Sequence, residues 1–126
     1  MKRILYLLTG GGAGTVARYF LSDLILKLSG HGLPYGTFIV NIVGCAILGT
    51  LVVISETRFH LRPGFQLLLM AGFCGAFTTF STFILEISHL IRDGYSVKAF
   101  GYLIFSVSVG FLFFRLGVYL AENFLA

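Results

Sequence analysis

The sequence predicts an all-α membrane protein of four transmembrane helices, the third of them broken in the middle. Three observations carry that prediction. Of 126 residues, 57% are hydrophobic and only 11% charged, with a mean hydropathy of +0.95, whereas a soluble domain carries about 25% charged residues. Polar material is therefore too scarce to cover a water-facing surface. Four apolar stretches, 4–26, 37–54, 64–90 and 99–120, each approach the roughly 20 residues that cross a bilayer core. The third is interrupted by a Gly/Thr/Ser-rich run from Gly75 to Thr82.

The first stretch begins Met1-Lys2-Arg3 and resembles a signal peptide at its start. Its apolar run is short and the hydrophobic pattern resumes after Arg18, so it is expected to be retained as a membrane helix. Gly10 and Gly14 form a small-xxx-small face, with Gly11 and Gly12 beside them. Lipid gives little hydrophobic drive between helices, so small residues supply the packing by letting backbones approach. Arg18, well inside this span, either snorkels to the interface or lines an aqueous vestibule with a fixed positive charge. Asp23 and Lys27, spaced i,i+4, are expected to form a surface pair.

A connector at 27–36 holds Pro34 and leads into the second stretch, where Gly44 and Gly49 thin the helix. Asn41 lies one turn in. Its amide either bridges helices or offers two N–H donors to a passing anion. After the connector at 56–63 comes the third stretch, and after Asp93-Gly94 the fourth, with Gly110 and Gly117 on one face. Glu86 and Arg115 stand nearer their helix ends and are expected at the interface. Connectors this short leave no room for a second domain, so residues 1–126 read as one transmembrane unit.

The third stretch reads Gly72-Phe73-Cys74-Gly75-Ala76-Phe77-Thr78-Thr79-Phe80-Ser81-Thr82-Phe83. A glycine followed by two β-branched residues weakens a helix, and hydroxyls give the freed backbone groups other partners. The alternative is an unbroken helix whose Ser and Thr side chains bond back to their own carbonyls. Irregular backbone at membrane depth survives only where it is buried in protein or lines a cavity. At a break, carbonyls ending the first half-helix suit a cation, and N–H groups opening the second suit an anion. Phe80 and Phe83, at i,i+3, share a face. The edge of a phenyl ring is the positive part of its quadrupole, so rings presented edge-on suit an anion path without a full charge to trap the ion.

The formal charge of +4 comes from basic residues scattered at segment ends, which argues against nucleic acid as a partner. Cys45 and Cys74 sit in apolar runs as small hydrophobes, and His31, His60 and His89 stand apart with no ligand spacing. No nucleophile–base pair falls in the spans, so no enzyme is expected. Lys2, Arg3, Arg58 and Arg62 mark one end of the bundle and Lys27, Arg92 and Lys98 the other. Under the positive-inside rule this near balance permits insertion in both orientations, and hence an antiparallel homodimer.

Together the motifs Gly11-Gly12-x-Gly14-x-x-x-Arg18-Tyr19, Gly36-Thr37-x-x-x-Asn41-x-x-Gly44 and Gly72-Phe73-x-Gly75-x-x-Thr78-Thr79-Phe80-Ser81-Thr82-Phe83 resemble the fluoride channel family, Fluc or CrcB. The resemblance implies a fluoride-selective channel that passively exports fluoride across the plasma membrane, in bacteria the inner membrane, and so relieves fluoride toxicity. It implies a dual-topology antiparallel homodimer in the lipid bilayer, with two pores and a central sodium ion held by the backbone carbonyls of Gly75 and Thr78. It further assigns Phe80, Phe83 and Asn41 to the pore, Arg18 to a vestibule, and Thr37, Tyr102 and Ser106 to a polar track. Ser81 and Thr82 are implied near the ion.

Fluoride is small and strongly hydrated, so a path for it must replace water with several short donors and bind none of the ions too tightly. Neutral hydroxyls, amide N–H groups and ring edges meet both demands. A proton-coupled exporter of the small multidrug type needs a midplane carboxylate, and Asp23 and Glu86 are both off-centre. A non-transporting assembly factor would need no hydroxyl cluster at mid-membrane.

Overall fold

The computed structural model describes residues 1–30, 32–57 and 61–125, so the expectations at His31, Arg58 and His60 lie outside the described residues. Those residues are helical throughout apart from turns and the break: α1 (Lys2–Ser29), α2 (Tyr35–Glu56), α3 (63–77), α4 (Phe80–Arg92) and α5 (Ser96–Phe124). Each helix extends a few residues beyond its apolar stretch, because polar connector residues continue the helical hydrogen bonding outside the hydrocarbon. Three helical segments are long and apolar enough to cross a membrane: Tyr35–Glu56, Pro63–Arg92 taken across its break, and Ser96–Phe124. The protein is therefore a multi-pass membrane protein. At 28 residues α1 is as long as the others, but its four glycines, Thr9, Thr15 and Arg18 keep it out of that apolar class.

Turn chemistry sets the ends. Gly30 and Gly94 close α1 and α4 with φ of 75° and 86°, a region that only glycine enters cheaply. Pro63 opens α3, where no N–H is needed.

The helices alternate in direction. Gly64 lies under the Tyr6 ring, Gly10 against Leu68 and Gly14 against Phe73, so α1 and α3 run parallel. Phe38 stacks on Phe105, Gly110 meets Cys45, and Gly117 meets Ala46, so α2 and α5 also run parallel. At both seams the glycines are required by close approach. A methyl on Gly10 or Gly14 would strike the carbonyl of Leu68 or Phe73. The α2–α5 seam is reciprocal, with Gly49 admitting the Phe114 carbonyl and Gly117 that of Ala46. Val53, Val118, Ala121 and Phe114 fill the end of this seam.

The third span departs from regular geometry twice. From Leu67 to Cys74 it winds as a π-helix, the wider form often found next to functional sites, and Gly72 within it faces Gly10 and Gly11. The chain then leaves the helix at Thr78 and Thr79, both extended, with φ/ψ of −84°/159° and −149°/117°. The break is narrower than the run from Gly75 to Thr82. Gly75 remains right-handed helical, and the two β-branched residues, which favour extended backbone, carry the interruption.

Candidate functional site

Side-chain oxygens hold the break open. The Thr78 backbone N–H and hydroxyl both donate to the Cys74 carbonyl, at 3.0 and 2.9 Å. Thr79 caps α4: its hydroxyl oxygen accepts the Thr82 N–H at 3.2 Å and its proton goes to Thr82 Oγ1 at 3.0 Å. The backbone of Thr79 is matched by Asn41 from α2, whose Oδ1 accepts the Thr79 N–H at 2.8 Å while Nδ2 donates to the Thr79 carbonyl at 3.0 Å. Of the two readings of Asn41, bridging is the one the geometry contains, and it leaves one amide N–H over. Gly44, one turn on, makes room for the Thr78 methyl and the Phe77 ring. Asn41 and Gly44 at i,i+3 thus put a backbone mimic and a gap on one face. Because α3 ends at Phe77, the carbonyls of Gly75 to Phe77 have no intrahelical acceptor role to fill, and the extended Thr78 adds one more.

Thr79 lines two cavities, one on each side of the break. The first, about 350 Å³, gathers Asn41, Gly75, Thr78, Phe80, Phe83 and Ser106. The second, about 470 Å³, gathers Arg18, Thr37 and Thr82, with Ser22 and Asp23. Nine of the eleven residues singled out above therefore converge on the two faces of one short segment. Ser81 is exposed, its Oγ 3.5 Å from that of Thr79, and Tyr102 lies behind Phe83. Asp23 pairs with Lys27 at 2.6 Å as expected. Among the described residues Arg18 has no ion-pair partner. The Ser106 hydroxyl oxygen is buried at the first cavity.

The two phenylalanines differ sharply. Their centroids are 6.0 Å apart, yet Phe83 is 4% exposed and Phe80 73%. Phe83 stands nearly perpendicular to Tyr102, at 5.0 Å and 68°, while Phe80 projects from the surface of the chain. The i,i+3 spacing puts them on one side of α4, but the position of α5 decides which ring is covered.

Glu86 is bound more closely than its place near a helix end suggests. It is half-buried between three helices, accepting the Thr37 hydroxyl at 2.5 Å and the Tyr102 hydroxyl at 3.0 Å. In this arrangement Thr37 and Tyr102 give their protons to a carboxylate. The available signal was its i,i+3 relation to Phe83, which aligns it with the same inward face of α4.

A bundle of apolar helices whose polar groups meet at a mid-membrane break, with a cavity on either side, defines a membrane protein of the channel or carrier class. Residues 5–118 match the CrcB-like protein family, Camphor Resistance (CrcB). A protein of Phocaeicola vulgatus named fluoride-specific ion channel FluC is 40% identical over 122 residues, covering 97% of this chain and all of that one. Proteins of the same name are 42% identical in Dehalococcoides mccartyi, over 97% of this chain and 94% of the relative, and 38% identical in Leptospira interrogans, over 98% and 97%. The chain belongs to the CrcB family, whose named members are ion channels and not enzymes.

Proposed function

We propose that this protein is a fluoride-selective channel of the bacterial inner membrane, passively releasing fluoride, and that it works as an antiparallel homodimer with two pores and a central sodium ion. The observation that carries the reading is the break itself, with Arg18 lining one cavity and the Asn41 amide and Ser106 hydroxyl lining the other. Relatives named as fluoride-specific channels along nearly the whole chain supply the ion.

Packing supports a fourth span. Gly10 and Gly14 seat α1 backbone-to-backbone on the middle of the third span, so α1 shares its depth despite its lower apolarity. Arg18 draws the anion into the second cavity. Past Thr79 the donors left to it are the second N–H of Asn41, the Ser106 hydroxyl, and the ring edges of Phe80 and Phe83, with Ser81 and Thr82 at the opening. All are neutral, so no site holds fluoride too tightly to release it. Thr37 and Tyr102 serve the track by fixing Glu86.

Sodium suits the carbonyl oxygens of Gly75 and Thr78, which are hard donors freed by the break. Gly75 is exposed and one chain offers too few oxygens for a cation, so a second copy related by a two-fold axis would complete the set with the same atoms. A sodium ion bound there would supply a fixed positive charge. The exposed Phe80 ring and the balanced end charges favour the same antiparallel pairing.

The test is flux. Purified protein in liposomes, read with a fluoride electrode, is expected to release fluoride rapidly and passively while retaining chloride. Well-incorporated protein that passes no fluoride would overturn the reading.

A further inference from the structure

A further cavity lies beside the path above and shares Tyr102 with it. It lies between the start of α2 and the first turns of α5 and measures about 350 Å³, within the roughly 300–1,000 Å³ of small-molecule sites. Leu33 and Phe38 form one wall and Gly101, Tyr102 and Phe105 the other, while Lys98 is the only charged residue that lines it among the described residues. The Phe38 and Phe105 rings stack at 5.4 Å and 16° and make this part of the lining apolar. At Gly101 the cavity is open, because a Cβ there would meet nothing within 4 Å. The Lys98 amine sits 4.4 Å from the centroid of the Tyr95 ring, at the same end of the bundle as Lys27 and Arg92.

An apolar slot at the end of a membrane span, with one ammonium group beside it, matches the two parts of a phospholipid. The slot takes hydrocarbon, and the amine takes the phosphate of a headgroup at interfacial depth, as basic pockets between spans do. We propose that this cavity binds one acyl chain of an anionic phospholipid of the surrounding bilayer, with its headgroup on Lys98. Tyr102 is the shared wall: its ring borders this slot while its hydroxyl holds Glu86 and its ring meets Phe83. A lipid seated here therefore packs against the back of the proposed pore. Binding itself depends only on the protein's lying in a membrane and not on its passing fluoride.

Detergent-purified protein titrated with phosphatidylglycerol or phosphatidylcholine, with retained lipid counted by native mass spectrometry, tests this. Phosphatidylglycerol is expected to be retained in preference. Lys98→Gln is expected to lower that retention about fivefold, the factor for about 1 kcal/mol per basic residue near a membrane surface. Gly101→Leu fills the open slot without striking the backbone and is expected to remove the adduct while circular dichroism stays unchanged. Equal retention of the two lipids, or an adduct that survives both variants, overturns the proposal. So does efficient disulfide linkage between copies bearing Gly101→Cys with Cys45 and Cys74 replaced by alanine, which would mean that a second chain covers the slot.

Discussion

The helix seams and the helix break are both places where backbone comes unusually close to another element, and they solve opposite problems. Along α1–α3 and α2–α5 the glycines in contact lie inside regular helical hydrogen bonding. Glycine there does nothing but remove a side chain, so that Leu68, Phe73, Ala46 and Phe114 carbonyls can come into contact. At Thr78–Thr79 the backbone groups are freed, and side chains catch them: Asn41 from α2, the Thr79 hydroxyl, and Cys74 as acceptor. In lipid a seam needs absence of atoms, whereas a break needs donors and acceptors supplied from elsewhere. Damage to a seam is expected to remove the protein. Damage to the break is expected to leave protein that conducts poorly.

The largest effect tests the seam. Gly49→Leu drives a branched side chain into the Phe114 carbonyl, and overpacking of about 3 kcal/mol or more is expected to leave no monodisperse material on gel filtration. Well-behaved Gly49→Leu protein would show that the seam separates freely. Next comes Asn41→Ala, which strands both the N–H and the carbonyl of Thr79. Each buried unsatisfied group costs about 1–3 kcal/mol, so a clear fall in thermal midpoint together with loss of flux is expected. Loss of flux at unchanged midpoint would mean that Asn41 acts on the ion alone.

A smaller effect isolates the ring. Phe83→Ile keeps an apolar side chain in the same place but removes the contact with Tyr102, which is worth about 0.5–1.5 kcal/mol beyond buried area. Fluoride efflux is expected to fall by up to about tenfold, with the protein still folded. Efflux equal to that of the parent would take Phe83 out of the path. The smallest effect is a control on the comparison itself. Gly12 sits among the packing glycines, yet a Cβ there meets nothing within 4 Å. Gly12→Ala is expected to leave flux unchanged and to raise stability by up to about 1 kcal/mol through helix propensity, read as a higher midpoint. A lower midpoint would place another surface against that face.

Much of this was legible in the residues because it is local. Apolar length gives the spans, Pro63 and the Asp93-Gly94 pair give helix boundaries, and a run of hydroxyl and β-branched residues gives the weak point of the third span. The spacing of Gly10 with Gly14 marks a packing face before any partner is known. Gly75 misled, since a flexible residue near a break need not be the one that bends. The two threonines after it have the extended preference and the capping oxygen, and those decide the position.

The rest depends on which helices become neighbours. Asn41 and Thr79 are 38 residues apart in the chain, and only the approach of α2 to the break turns an amide into a backbone partner. Glu86 reads as a lone carboxylate near a helix end until Thr37 and Tyr102, on two other helices, converge on it. Phe80 and Phe83 are equivalent by spacing and opposite by burial, because α5 covers one ring and leaves the other bare. Sequence alone determined that the chain lives in a membrane and breaks its third span, since hydropathy and backbone preference are properties of short segments. The tertiary structure alone decided which groups hold the break and which remain free for an ion, since in lipid every polar group must find its partner across helices.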